Sequence, residues 1–278
     1  MKKLGIIALA LFMQTAFAQT NRFVYQVTMK PDASNKNDVK TENAYLDISA
    51  EKSLFYSENR FKRDSIMQKA FQSGGGRGSF NRDQMESLRS NINYSIEKDK
   101  ENQKTIYKDR LGRDIYVYEE DRPINWKISS ETTKIGDYKV QKAETEFGGR
   151  KWTVWFTTDL PYQDGPYKFS GLPGLIVKAE DDKGDYSFDL MKNYKISEIP
   201  ALNQFGNLIK VKRTDFVKQQ EKFKTDPMSF MNQGGSGPNA PMRIGGGGGN
   251  QNPGDMRKRM EERVKEEAKR NSNPIELQ

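Results

Sequence analysis

The sequence predicts a mainly β protein: one antiparallel, strongly curved sheet or incomplete barrel, with a short helical excursion, a C-terminal helix and a flexible tail. Three observations carry this. Apolar and polar residues alternate with period two in segments spread from Asn21 to Val211, as in strands buried on one face. Pairs such as Gly148-Gly149 and Pro173-Gly174 separate several of these segments, which suits hairpins rather than helical crossovers. Neither histidine nor cysteine occurs among the 278 residues. Packing alone must therefore hold the fold, and nucleophiles activated by histidine and zinc sites built on imidazole or thiolate are excluded.

Met1-Lys2-Lys3, the apolar residues 4–13 and Ala16-Phe17-Ala18 supply the three parts of a secretory signal over residues 1–18. The apolar run is too short for a permanent membrane span. No cysteine follows to take a lipid, so the expected location is periplasmic or secreted, with no transmembrane segment after cleavage. The formal net charge is +8, and two of those charges leave with the signal. The remaining excess suits an anionic envelope surface or an acidic partner, and nucleic acid is not an expected partner in that compartment.

Residues 19–212 read as the β domain. Phe23, Tyr25, Val27 and Met29 share one face, followed by Ala44, Leu46 and Ile48, and by Leu54-Phe55-Tyr56. Residues 58–90 interrupt the pattern with helix-like pieces at 61–71 and 82–88. The glycine run between them lacks the Gly-Lys-Ser/Thr ending of a phosphate loop. Strands resume at Ile92, Tyr94 and Ile96, at 105–108 and at 115–119, with further extended pieces from Trp126 and over 132–135. Residues 138–147 and 150–158 form a hairpin whose return strand carries the structural aromatics Trp152 and Trp155 on opposite faces, so both sides are expected to be covered. A second hairpin pairs Leu175, Val177 and Ala179 with Tyr186, Phe188 and Leu190. Residues 193–200 are expected to leave the sheet, 208–211 to form a last strand, and Thr214 to cap a basic helix within 213–225. Residues 226–254 read as a disordered Gly/Met/Asn-rich linker, and 255–278 as a charged helix and tail.

Residues 165–176 hold the densest mixture of chain-restricting and large apolar residues. Pro173-Gly174 suits the centre of a type II turn, with positive φ at the glycine. The hexapeptide Gly171-Leu172-Pro173-Gly174-Leu175-Ile176 resembles the signature of the GLPGLI family of secreted Gram-negative proteins. The resemblance extends through Lys142-Ala143, Gly149-Arg150, Trp152, Trp155, Pro161 and Gly165-Pro166-Tyr167-Lys168-Phe169, and to the terminal Asn273-Pro274-Ile275-Glu276-Leu277. It implies an envelope role near TonB-dependent outer-membrane receptors and supplies no catalytic residue. Tyr162 and Tyr167 lie in a loop among Pro161, Gly165 and Pro166. Together with Phe169, Gly171, Leu172, Pro173, Gly174, Leu175 and Ile176 they form the candidate contact surface for such a receptor, or for an apolar or peptide ligand. By default, however, the large aromatics Trp152, Trp155, Phe156, Tyr162, Tyr167 and Phe169 read mostly as core.

Other residues are candidates for chemistry. Glu144, Glu146, Asp159 and Asp164 could supply the paired acids of a carboxylate-dependent hydrolase. Glu180, Asp181, Asp182, Asp185 and Asp189 lack the spacing of a calcium loop and fit a hairpin turn. Met67, Met85, Met228, Met231, Met242, Met256 and Met260 could offer thioethers to Cu(I). The resulting expectation is a non-enzymatic accessory or binding protein of the cell envelope, with no catalytic residue, metal or cofactor.

Overall fold

The computed structural model describes residues 19–74, 81–202, 206–226, 229–230, 258–259, 262, 266 and 271–277. The expected signal 1–18 and nearly all of the linker 226–254 lie outside them. So does most of the charged helix 255–270, of which residues 258, 259, 262 and 266 are helical. The first meander comprises β1 (Thr20–Met29), β2 (Lys40–Ile48), β3 (Lys52–Ser57), β4 (Tyr94–Asp99), β5 (Lys104–Leu111) and β6 (Asp114–Glu119). Helices α1 (Glu58–Gln72) and α2 (Arg82–Ser87) interrupt it between β3 and β4. The second comprises β7 (Lys127–Ile135), β8 (Tyr138–Phe147), β9 (Arg150–Thr157), β10 (Leu175–Asp181) and β11 (Tyr186–Ile196), followed by β12 (Leu208–Lys210) and α3 (Arg213–Thr225).

All twelve strands belong to one open sheet in the order β12-β6-β5-β4-β3-β2-β1-β11-β10-β9-β8-β7. The two meanders join where β11 pairs antiparallel with β1. The sheet is not wholly antiparallel, because β12 runs parallel to β6. β11 also departs from the sequence expectation: it stays in the sheet to Ile196, which pairs with Thr20. These paired residues are mostly polar and exposed, so backbone bonding to β1 extends the strand past the end of its apolar pattern.

Alternation sorts the side chains onto two faces. Phe23, Tyr25, Ala44, Leu46, Phe55, Ile96, Trp152, Val154, Phe156 and Phe188 belong to the main core. Val24, Tyr45, Leu54 and Tyr56 form a smaller cluster on the other face, covered by Phe61 of α1 and by Ile199 and Leu202. Phe55 and Phe188 lie on strands three spacings apart, roughly 14 Å in a flat sheet, yet their ring centroids are 6.1 Å apart. The inner face bends toward itself there.

α3 is part of this core, since Phe216 is buried against Tyr107 and Tyr118. Its N-cap is Lys212, with no side-chain bond, rather than Thr214; packing of Phe216 sets the start of the helix. The expected tail is likewise docked at its end: Asn273 is buried, and Leu277 N–H bonds the Gly148 carbonyl at 2.7 Å. No helix among the described residues is long and apolar enough to cross a membrane.

Candidate functional site

The β9–β10 connection, residues 158–174, runs into the bend of the inner face. Of the sequence-predicted contact residues, Gly165, Pro166, Tyr167, Phe169, Leu172, Gly174, Leu175 and Ile176 are buried; Tyr162 is half-buried, and Gly171 and Pro173 are exposed. The structure brings these residues together as interior packing. Phe169 touches Trp152 edge-on at 4.9 Å, and Trp126 and Phe188 pack edge-on to the same ring. Trp155, on the opposite face of β9, is half-buried.

The hexapeptide turn is not type II. Gly174 N–H bonds the Leu172 carbonyl at 2.8 Å, and Leu175 N–H bonds the Leu160 carbonyl, giving a three-residue turn centred on Pro173. The glycine is required by close approach: a Cβ on Gly174 would lie 2.1 Å from the Thr157 carbonyl oxygen. Tyr167 has φ 55°, an uncommon value for a non-glycine residue.

A buried loop must find partners for its polar groups, and two lysines provide them here. Lys98 on β4 donates to Asp164 Oδ1 at 2.6 Å and to the carbonyls of Gly165 (2.8 Å) and Phe169 (2.7 Å). All three of its ammonium protons are used. Burial pushes its pKa down, and Asp164 opposes that shift. Lys168, fully buried, points the other way, donating to Tyr118 Oη (2.8 Å), Glu120 (2.6 Å) and Glu276 (2.5 Å). Tyr107, Tyr118, Tyr167 and Phe147 surround its ammonium at 4.9–5.7 Å, the face-on placement that favours a cation. Arg122 bonds both oxygens of Glu120 and reaches Glu276 at 2.7 Å. Burial drives the Glu120 pKa up, but Arg122 and Lys168 outweigh it and hold the group at about 2.

The C-terminal segment closes the end of this interior. Arg150, with a fully buried side chain, uses all five donors: Asp181 and Asp185 on one side, and Asn273 Oδ1 and the carbonyls of Pro274 and Ile275 on the other. The acids of the β10–β11 turn thus serve a guanidinium, which explains Asp181 and Asp185 without a bound ion. Among the described residues no group of three or more acids is placed to hold a metal.

The other face is built differently. Arg22 forms two 2.7 Å bonds to Asp47, and Tyr56 donates to the same carboxylate. Beside this group, between β3–β4, α1 and residues 198–202, lies an open cavity of about 300 Å³. Tyr56, Phe61, Pro200 and Leu202 give it apolar walls, while Arg60, Asp64, Ser65 and Gln68 of α1, with Glu198, make much of its lining polar and charged. α1 has no fully buried side chain among its described residues, so it covers the cavity without sealing it.

The candidate acids do not form a pair in a cleft. Glu144 and Glu146 are exposed on β8 beside Lys142 and Lys151, Asp159 is exposed, and Asp164 is held by Lys98. Met67 and Met85 lie on α1 and α2; the other candidate methionines fall outside the described residues. Sequence reasoning missed Lys98, Lys168, Arg150 and Glu276 as interior charges. Two of them had a signal, since Lys168 and Arg150 stand inside otherwise apolar or turn-forming stretches.

Residues 145–178, which include the hexapeptide, match a family described as "Protein of unknown function (Porph_ging)". No curated protein matches the chain. Among solved structures it is similar to PNGF-II in two crystal forms: in space group P21 at 18% identity with a TM-score of 0.53, and in C2 at 19% identity with a TM-score of 0.51. Each alignment covers 74% of this chain and 34% of PNGF-II. The chain therefore spans about a third of the length of the structures it matches, and the likeness is one of fold.

Proposed function

We propose that this chain is a non-enzymatic binding protein of the cell envelope, of the GLPGLI kind. On this reading residues 1–18 export it, it acts beside an outer-membrane receptor, and its ligand site is the cavity under α1. The sheet is read as an incomplete barrel whose concave side is filled by its own 158–174 loop. One observation carries the proposal: the inner face, where a half-barrel carrier would hold a ligand, is occupied by the chain itself, whereas the outer face keeps an open cavity of about 300 Å³. That volume is at the lower end for small-molecule sites. Aromatic and aliphatic walls together with charged and polar groups of α1 and Glu198 suit a small amphipathic molecule.

The test is native mass spectrometry of the full chain isolated gently from its own cell envelope, beside a Ser65→Trp variant that fills the cavity. A reproducible added mass on the parent, lost in the variant, is the expected result. A bare parent, or the same added mass on both proteins, contradicts this site.

A further inference from the structure

We propose that the seat of residues 273–277 is a peptide-binding site in its own right, which this chain fills with its own C-terminal segment as a tethered ligand. The seat is assembled from elements remote in sequence, and its groups are left in need of a specific occupant. Without the segment, Arg150 would keep only its bonds to Asp181 and Asp185. Three further donors of a fully buried guanidinium would lack acceptors. The hydroxyls of Tyr186 and Tyr167 would lose the Asn273 carbonyl (2.7 Å) and Glu276 (2.5 Å). Lys168 and Arg122 would each lose one carboxylate. Unpaired buried groups of this kind are costly, so the seat selects strongly for an occupant with matching chemistry.

That chemistry is readable from the contacts. Asn273 is used at four points: its Oδ1 accepts from Arg150, its Nδ2 donates to the Lys30 carbonyl, its N–H donates to the Pro31 carbonyl, and its own carbonyl accepts from Tyr186. Pro274 biases Asn273 toward extended geometry, which lowers the cost of ordering the peptide. Ile275 packs against the main core. Glu276 reaches two cations and a phenol, and passes so close to Gly148 that a Cβ there would lie 2.9 Å from its Cγ. The site thus takes a short extended peptide of the form Asn-Pro-x-Glu, and the source at hand is a second copy of this chain. Residues 231–270 separate the segment from Phe230, the last described residue before that stretch. An occupant held in cis is favoured over one in trans, so exchange calls for free peptide in excess.

The test starts from the folded full chain carrying a specific protease site within the Gly245–Gly249 run. After cutting, a fluorescent synthetic peptide, Asn-Ser-Asn-Pro-Ile-Glu-Leu-Gln, is added in excess while native mass spectrometry and near-UV circular dichroism follow the protein. The expected result is a cut fragment that stays bound, is displaced by the peptide without loss of the near-UV signal, and is displaced at least tenfold less well by peptides carrying Glu276→Gln or Asn273→Ala. Immediate loss of the fragment with no peptide binding would show that only the tether holds it. Release that always accompanies unfolding would show that the segment is an inseparable part of the core. Either result overturns the proposal.

Discussion

The two faces of the sheet are closed by different means. On the inner face much of the 164–176 stretch is buried, and its polar groups are met by charge: Lys98 takes two of its carbonyls and the Asp164 carboxylate, and its own Lys168 reaches two carboxylates and a phenol, while Arg150 gives its five bonds to Asp181, Asp185 and residues 273–275. On the outer face four apolar or aromatic strand residues and the Arg22–Asp47 pair lie under a helix with no fully buried described side chain, beside an open cavity. A concave surface can be filled by irregular chain only if polar anchors come with it. The outer surface needs fewer anchors because regular secondary structure already satisfies its backbone, and it can stay open.

The largest effect should come from the tightest point of the inner face. Gly174→Val puts a Cβ against the Thr157 carbonyl, 2.1 Å away before any shift. It should cost more than about 4 kcal/mol in urea denaturation, whereas Pro173→Ala, at an exposed position, should cost less than about 1 kcal/mol. Similar small losses for both would mean that the turn is not wedged against β9.

Lys168→Met should follow. Removing one partner of a buried ion cluster costs about 3–5 kcal/mol, while the same change at Lys151, paired with Glu146 on the surface, should cost no more than about 1 kcal/mol. If both substitutions had equal effects, the inner charges would not be the anchors described here.

Two carboxyls on the inner side respond to pH in opposite directions. Glu120 is held at about 2 in the folded chain, against 4.5 ordinarily. Its contribution is present above about pH 4.5 and is lost as pH falls toward 2. Asp109 has neutral hydrogen-bond partners, the Arg110 N–H at 2.7 Å and the Tyr107 hydroxyl at 3.4 Å. Burial raises it to about 6 against these opposing bonds and the charge of Arg60. The unfolded chain releases that proton first, so Asp109 costs stability progressively from about pH 3.8 to 6. Asp109→Asn should stabilise the protein at pH 7 by on the order of 2 kcal/mol, with no gain below pH 4, read from melting curves at both values. A loss at pH 7 would assign Asp109 an ionic partner. The smallest effect is expected at Glu144→Gln, on an exposed position: within about 0.5 kcal/mol, with ligand mass in the native spectrum unchanged.

Much of the β architecture was legible because alternation is a local signal. Phe23, Tyr25, Val27 and Met29 all fall on the inner face as their spacing requires, and Gly148 and Gly149 both carry the positive φ expected of their turn. Pairing is nonlocal and left no such trace. The parallel β12–β6 edge and the extension of β11 to Ile196 depend on where the chain returns. The 165–176 stretch stands out in the sequence; its large aromatics read mostly as core, and only the loop of Tyr162 and Tyr167 points to a contact surface. Tyr167 and Phe169 are buried, and what the sequence did not disclose is the ionic partners Lys98 and Glu276, which lie far from the loop along the chain. The cavity under α1 left no sequence signal, since its walls come from three separate segments of the chain.

Hydrogen exchange on the full chain tests the contrast between the faces most directly. The amides of Phe169, Gly171 and Ile176, bonded to the carbonyls of Pro166, Gln163 and Asp164, should exchange as slowly as the β1 and β9 core strands. The amides of α1, over the cavity, should exchange orders of magnitude faster. Exchange of residues 164–176 as fast as that of α1 would contradict a sealed inner face, and would return that loop to consideration as the surface that meets a partner.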